Sequence, residues 1–499
     1  MRRFAGFVSK LLGLRSAPGG RPDVALGLLL AAAAAFLPGT ARAIWPFRNG
    51  DWPDPARDLR GAAAALLSQA IRFPTVNPPG DELPLAEWLA KVLRSEGVEA
   101  KVVETPSGDS KLGRGALWAR VPGTGKRRPV ILHSHLDVVP AEPSEWAVGP
   151  FEGVTGGGYV VGRGALDAKG ITIVHLLTLL ELARRETPLD RDVILLATPD
   201  EEMGGRDGAG WIVANRRSLL LDAEFLLTEG GGVLVDEQGG RHIWGVAVSE
   251  KPPCWLRLVA RGTPGHSSAE PRDAAVPRLV AALERVRNYE GKVEVVPEIA
   301  RMFAALAPYA RPEDKGPFAN LANALAHDPA FAQRFLADRG QAALVRNTVT
   351  ITVLQGGPKT NVMPAEAYAE LDARLLPGDS CERFAAEMHD VIDDPGVRVE
   401  TLLSIPARSS PAETELFDAI VRTANELDPG AVVVPRVIGG FTDAHWFRDA
   451  GIVAYGFLPR WLPPDESRGI HGPNERVSID NLERGVKTTV RLLENLGPR

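Results

Sequence analysis

A helix that is apolar on every side persists in water only if every side is covered. The stretch Lys169 to Glu186, KGITIVHLLTLLELARRE, is such a helix, and its neighbours supply the cover. PVILHSHLDVV ahead of it, and DVILLATPDEE and AEFLLTEGGG behind it, are continuous apolar runs rather than alternating ones. Strands of that kind are buried on both faces, as in a mostly parallel sheet with helices packed on each side. The fold class expected for the core is therefore α/β.

From about Lys251 the pattern changes. In EAYAELDARLL, residues Ala367, Ala369, Leu371, Ala373 and Leu375 share one face and charged or aromatic residues share the other, the period-2 alternation of a sheet wet on one side. TVTITVL behaves likewise, and helices are expected over Ala275 to Arg287 and after Ser380. Residues 251–406 read as an inserted two-layer α+β lid, which also carries a helical insertion between Arg301 and Gly340. The catalytic domain is then split into 52–250 and 407–499, and a cleft between core and lid is the natural ligand site. The chain closes on a helix with Ser478 as N-cap and Ile479, Leu482, Val486, Val490 and Leu493 as its buried stripe.

Residues 1–43 have another character: five basic residues precede the apolar run Val24 to Pro38, and Ala41-Arg42-Ala43 follows. That order matches a secretory signal, and about 15 apolar residues fall short of the roughly 20 that span a bilayer. Export to the periplasm or outside the cell is expected, with an uncleaved inner-membrane anchor as the alternative. The net charge of −6 and the absence of a basic, aromatic-rich run exclude nucleic acid as a partner. Of the two cysteines, Cys254 and Cys381, nothing in the sequence places one beside the other. Separate thiols are the favoured reading, and a disulfide is the alternative open to an exported chain.

The chemistry stands just past the apolar strands. His133, His135 and Asp137 follow PVIL; Asp167 precedes the long helix; Asp200, Glu201 and Glu202 follow VILLATP; Glu229 follows FLLT; and His471 lies near the end of the chain. In a doubly wound sheet the carboxyl ends of the strands line one crevice, so these side chains converge. Clustered carboxylates raise one another's pKa unless cations compensate them. Two divalent cations would offset Asp167, Glu202, Glu229 and a bridging hydroxide charge for charge. Nitrogen and oxygen donors without thiolate suit Zn2+ best, with Co2+ or Mn2+ as substitutes.

The segments HLDVVP, GRGALDAKG, TPDEEMGG, TEGG, GTPGHSS, TNVMP, RLLPGD, GGFTDAHWF and HGPNE occur in this order along most of the chain. In that order they resemble the dinuclear zinc amidohydrolases that include aminoacylase, acetylornithine deacetylase, succinyl-diaminopimelate desuccinylase, carboxypeptidase G and carboxypeptidase S, nearest the carboxypeptidase S and N-acyl-amino-acid hydrolase branch. The resemblance implies that Asp167 bridges two zinc ions, one held also by His135 and Glu229, the other by Glu202 and His471. It further implies Glu201 as general base, Asp137 as the residue orienting His135, and His266 of the lid as the group polarising the scissile carbonyl. Asn361 and Arg374 would hold the substrate's free carboxylate. His133 stands where many relatives have an apolar residue or asparagine, and it is left out of the metal shell. His175, His242 and His389 are read as structural or solvent-facing.

The expected reaction is hydrolysis of an amide next to a free carboxylate, in an N-acyl amino acid or a small peptide. The lid and its inserted helices are expected to supply an apolar acyl pocket, and lid closure to bring His266 to the metals. A homodimer through exposed lid edges is a further implication of the resemblance. Whether aminoacylase or dipeptidase and carboxypeptidase chemistry prevails stays open. Two remote alternatives are an α/β hydrolase using Ser267, Asp443 and His471, and an inactive relative that only binds peptides.

Overall fold

A computed structural model describes residues 52–497, apart from 236–241, 270, 407, 464, 465, 467 and 468. The leader expected over residues 1–43 lies outside the described residues, and among those described no helix is long and apolar enough to cross a membrane.

The core is a ten-stranded sheet. At its centre Val193–Thr198, Val130–His135, Phe225–Thr228 and Val453–Gly456 run parallel, and antiparallel pairs lie toward its edges. Every residue of Val130–His135 and Val193–Thr198 is buried, as their unbroken apolar runs require. Separate apolar clusters cover the two faces of the sheet. The helix Lys169–Ala183 packs against the helices Leu59–Ile71 and Ile479–Asn495 and is buried nearly all round. It ends at Ala183, short of Glu186, and Arg184, Arg185 and Glu186 lie exposed beyond it. The last helix begins as expected, with the Ser478 hydroxyl accepting from the Asn481 N–H at 3.2 Å.

A second, antiparallel sheet orders its strands Thr348–Gln355, Glu366–Arg374, Pro253–Arg261 and Val397–Ser404. The helices Ala275–Arg287 and Cys381–Ile392 cover one face, on which Ala367, Ala369, Leu371 and Ala373 are buried. The inserted helices do not belong to this layer alone. Phe303, Phe331 and Phe335 form one cluster with Val432, Val434 and Val437 of the strand Val432–Ile438, which belongs to the large sheet. Buried Lys251, where the chain leaves the large sheet, donates to the carbonyls of Ala343 and Arg346 at 2.6 and 2.5 Å, fastening the end of the insertion.

One expectation is corrected here. Cys254 and Cys381 are not separate thiols but a disulfide, with Cα atoms 5.3 Å apart. Cys254 lies near the start of one strand and Cys381 is the first residue of a helix packed over that strand. A separation of 127 residues left no local sign of the pairing.

Candidate active site

The strand Val130–His135 carries the His135 imidazole to the carboxyl edge of the sheet. There Nε2 lies 2.9 Å from the Asp167 carboxylate and 3.5 Å from that of Glu229. On the other side His471 Nε2 lies 3.3 Å from Asp167 and 3.4 Å from Glu202. The donor atoms of His135, Asp167 and Glu229 fall within 4.8 Å of one another, as do those of Asp167, Glu202 and His471, so Asp167 is shared by both groups. Glu201 stands beside them, 3.9 Å from His135 Nε2.

The backbone beneath these side chains is held by buried carboxylates. Asp137 accepts the N–H groups of Glu201 and Glu202, both at 3.1 Å, and the Asn77 amide at 2.8 Å, while the His135 Nδ1–H finds the Asp137 carbonyl at 3.0 Å. Asp200, at a positive φ of 78°, accepts from Arg114 at 2.8 Å, and Arg114 forks onto Glu82 at 3.0 and 2.8 Å. Glu475, fully buried, accepts the N–H groups of Gly164, Leu166 and Asp167 together with Arg163 Nη1. Arg163 Nη2 reaches the carbonyl of His471, itself at a positive φ of 59°, at 3.1 Å. A non-glycine residue in that conformation persists only where its surroundings over-determine it.

The sequence reading missed Asn77, Glu82, Arg114, Arg163 and Glu475 in these roles. Glu475 was within reach, since it ends the segment HGPNE. Arg114 carried no local signal, because its partners Glu82 and Asp200 are 32 and 86 residues away.

Electrostatics identify what the cluster wants. Burial pushes the carboxyls of Glu201 and Glu202 up, and that of Glu229 up to about 7, with neighbouring carboxylates adding to the effect. Burial opposes the charge on Asp167, yet His135 and His471 hold its carboxyl well below the usual range. Asp167 and Glu202 in turn push His471 up to about 10. The acids can discharge their mutual repulsion only by keeping protons or by gaining cations. Imidazole and carboxylate donors without thiolate suit zinc-like ions, and ligation would displace the imidazole protons. The donor set therefore fits two divalent cations.

Other expected residues are placed differently. Arg374 lines the cleft, forks onto Asp372 at 2.8 and 3.0 Å, and keeps Nη1 buried without an acceptor among the described residues. His266 and Asn361 lie together on the ribbon formed by Gly265–His266 and Val362–Met363, exposed and outside the cleft lining. His266 Nδ1 is occupied by the Ser268 hydroxyl at 2.9 Å. His133 bonds Thr228 and Thr198, both at 2.9 Å, away from the ligand groups. The Ser267 triad is absent: Ser267 is exposed on the lid, whereas Asp443 is buried and accepts from Thr198 at 2.8 Å.

The cleft has a volume of about 450 Å³. Its apolar wall comes from Val233, Leu234, Trp255, Ile438, Phe441 and Ile470, and not from the inserted helices, which spend their apolar faces on the strand Val432–Ile438.

A split α/β core with paired His/carboxylate groups at its strand ends, facing an α+β lid, defines an amide hydrolase of the metallopeptidase kind. The chain belongs to the peptidase family M20/M25/M40, whose model matches residues 131–495. It is 30% identical over 454 residues to the N-fatty-acyl-amino acid synthase/hydrolase PM20D1 of Xenopus tropicalis, covering 88% of this chain and 87% of that one. It is 27% identical over 454 residues to aminoacylase-1 of Sus scrofa, covering 88% and 96%. The fold matches the M20 metallo-carboxypeptidase Sso-CP2 of Sulfolobus solfataricus with a TM-score of 0.66 at 19% identity, covering 87% of this chain and 99% of that one.

Proposed function

We propose that this M20 amidohydrolase cleaves N-acyl amino acids, using two zinc ions held by His135, Asp167 and Glu229 on one side and Asp167, Glu202 and His471 on the other. The observation that carries this reading is Asp167, whose carboxylate faces an imidazole and a glutamate on each side. Bound zinc supplies Lewis acidity, which lowers the pKa of a coordinated water from 15.7 to about 7. Glu201, which stands outside the two donor groups that share Asp167, takes a proton from the attacking water and returns it to the departing amine, since an amide nitrogen leaves poorly unless protonated. Asp137 keeps the base in place through the two peptide N–H groups it accepts. Arg374 Nη1 offers a charged donor to the substrate carboxylate.

His266 and Asn361 act in this scheme only after the lid ribbon moves against the cleft, with His266 polarising the carbonyl. The apolar wall favours a hydrophobic acyl group, in keeping with the similarity to a fatty-acyl-amino acid hydrolase. The disulfide supports an exported protein, because such bonds persist in oxidising compartments.

Zinc-loaded protein assayed against N-acyl amino acids and dipeptides tests the reading. We expect turnover that a chelator abolishes and zinc restores, falling when the terminal acid is blocked as an amide. Activity indifferent to chelation would overturn it.

A further inference from the structure

The arginines lining the cleft are not equally engaged. Arg374 has Asp372, and Arg460 gives Nη1 to the Leu166 carbonyl at 2.7 Å. Arg436, on the strand Val432–Ile438, lines the same cleft and has no hydrogen bond or ion pair among the described residues. Its side chain crosses the neighbouring strand over Gly245, where a Cβ would stand 2.3 Å from Arg436 Cδ. Glycine at position 245 leaves this path open, and a larger residue there would force the arginine's methylenes aside. Burial disfavours its charge, and no carboxylate among the described residues answers it. A half-buried cation without a counter-ion is costly unless an anion visits it.

We propose that the cleft accepts substrates bearing a second carboxylate besides the one offered to Arg374, and that Arg436 is the residue that takes it. This rests on the N-acyl-amino acid reading and narrows its substrate class to dianions. Arg436 is the better grip of the two, because all its donors are unspent whereas Arg374 has one fork committed to Asp372. The second acid has two possible origins, the side chain of an acidic amino acid or the far end of a dicarboxylic acyl group.

Isosteric pairs separate these origins from each other and from no effect at all. N-acyl-glutamate is compared with N-acyl-glutamine, and N-glutaryl-leucine with its terminal amide, by kcat/KM. We expect at least one pair to favour the acid tenfold or more, mostly through KM, and whichever pair does so identifies the origin. In Arg436→Met that ratio should fall to near one, and Arg436→Lys should recover part of it. No preference in either pair, or a preference that survives Arg436→Met, overturns the proposal. Calorimetry gives a reading independent of turnover: the Glu201→Gln protein should bind the favoured dianion at least tenfold more tightly than the same protein carrying Arg436→Met. Equal affinities overturn the proposal even if nothing is hydrolysed. Absence of hydrolysis in wild type with the affinity difference intact instead defeats the functional reading beneath it.

Discussion

On the core side of the cleft three of the four clustered carboxylates stand on peptide groups that are themselves pinned: Glu201 and Glu202 on Asp137, and Asp167 on Glu475. On the lid side His266 and Asn361 stand on a short ribbon, exposed, with Ser268 the hydroxyl partner of His266. The difference teaches which half has its geometry before substrate arrives. Electrostatic stabilisation is strongest when the groups are already in place, and the core meets that condition. In the proposed scheme the lid would meet it only after movement, so its contribution would depend on binding.

The largest effect should come from the pinned side. Glu201→Gln removes the proposed base and leaves the donor groups around Asp167 intact, so turnover should fall by about 10²- to 10⁴-fold with zinc content preserved. Elemental analysis beside the assay checks both parts, and a variant that kept its turnover would place the base elsewhere. Next is His266→Ala, expected to lower kcat by about 10²- to 10³-fold, as loss of an oxyanion donor does. Its zinc affinity should stay at the wild-type value, because His266 lies outside the ligand groups. If metal binding weakened with it, the division between the two sides would be false.

Arg114→Met sharpens the contrast from within the core. It deprives Glu82 and Asp200 of their shared cation while touching no donor atom of the cluster. Residues supporting a metal site from behind typically contribute 10- to 100-fold in metal affinity or activity, and a zinc titration should find a loss in that range. Arg114→Lys should recover little of it, since a single ammonium cannot reproduce the fork onto Glu82.

How much of this was legible beforehand follows the range of the interactions. Residues 366–374 announced their buried face by alternation, and Ser478 announced the last helix, because both signals are local. The convergence of His135, Glu202 and Glu229 was legible because each follows an apolar strand, and strand ends in this kind of sheet share a crevice, whereas Asp167 and His471 stand in loops and came only with the ordered motifs. The disulfide, the Glu82–Arg114–Asp200 chain and the attachment of the inserted helices to Val432–Ile438 were not, since each joins segments that only the finished fold brings together. The unpaired state of Arg436 was hidden for the same reason.

The smallest effect concerns a histidine that does no chemistry. His175 is buried in the helix Lys169–Ala183, its Nδ1 has no partner among the described residues, and burial pushes its pKa from 6.5 down to about 3. Between those values the unfolded chain binds a proton that the native protein refuses, so unfolding is favoured progressively as pH falls below 6.5. Each pH unit in that window should cost about 1.4 kcal/mol of stability through this residue alone. Other groups, the proposed metal ligands included, titrate over the same range, so the informative quantity is the difference between wild type and His175→Leu. Denaturant unfolding at pH 7 and pH 5 should show the variant losing about 2 kcal/mol less than wild type over the interval. Equal losses would mean that the buried imidazole gains a proton in the native state, and the layer between sheet and helices would then have to admit water.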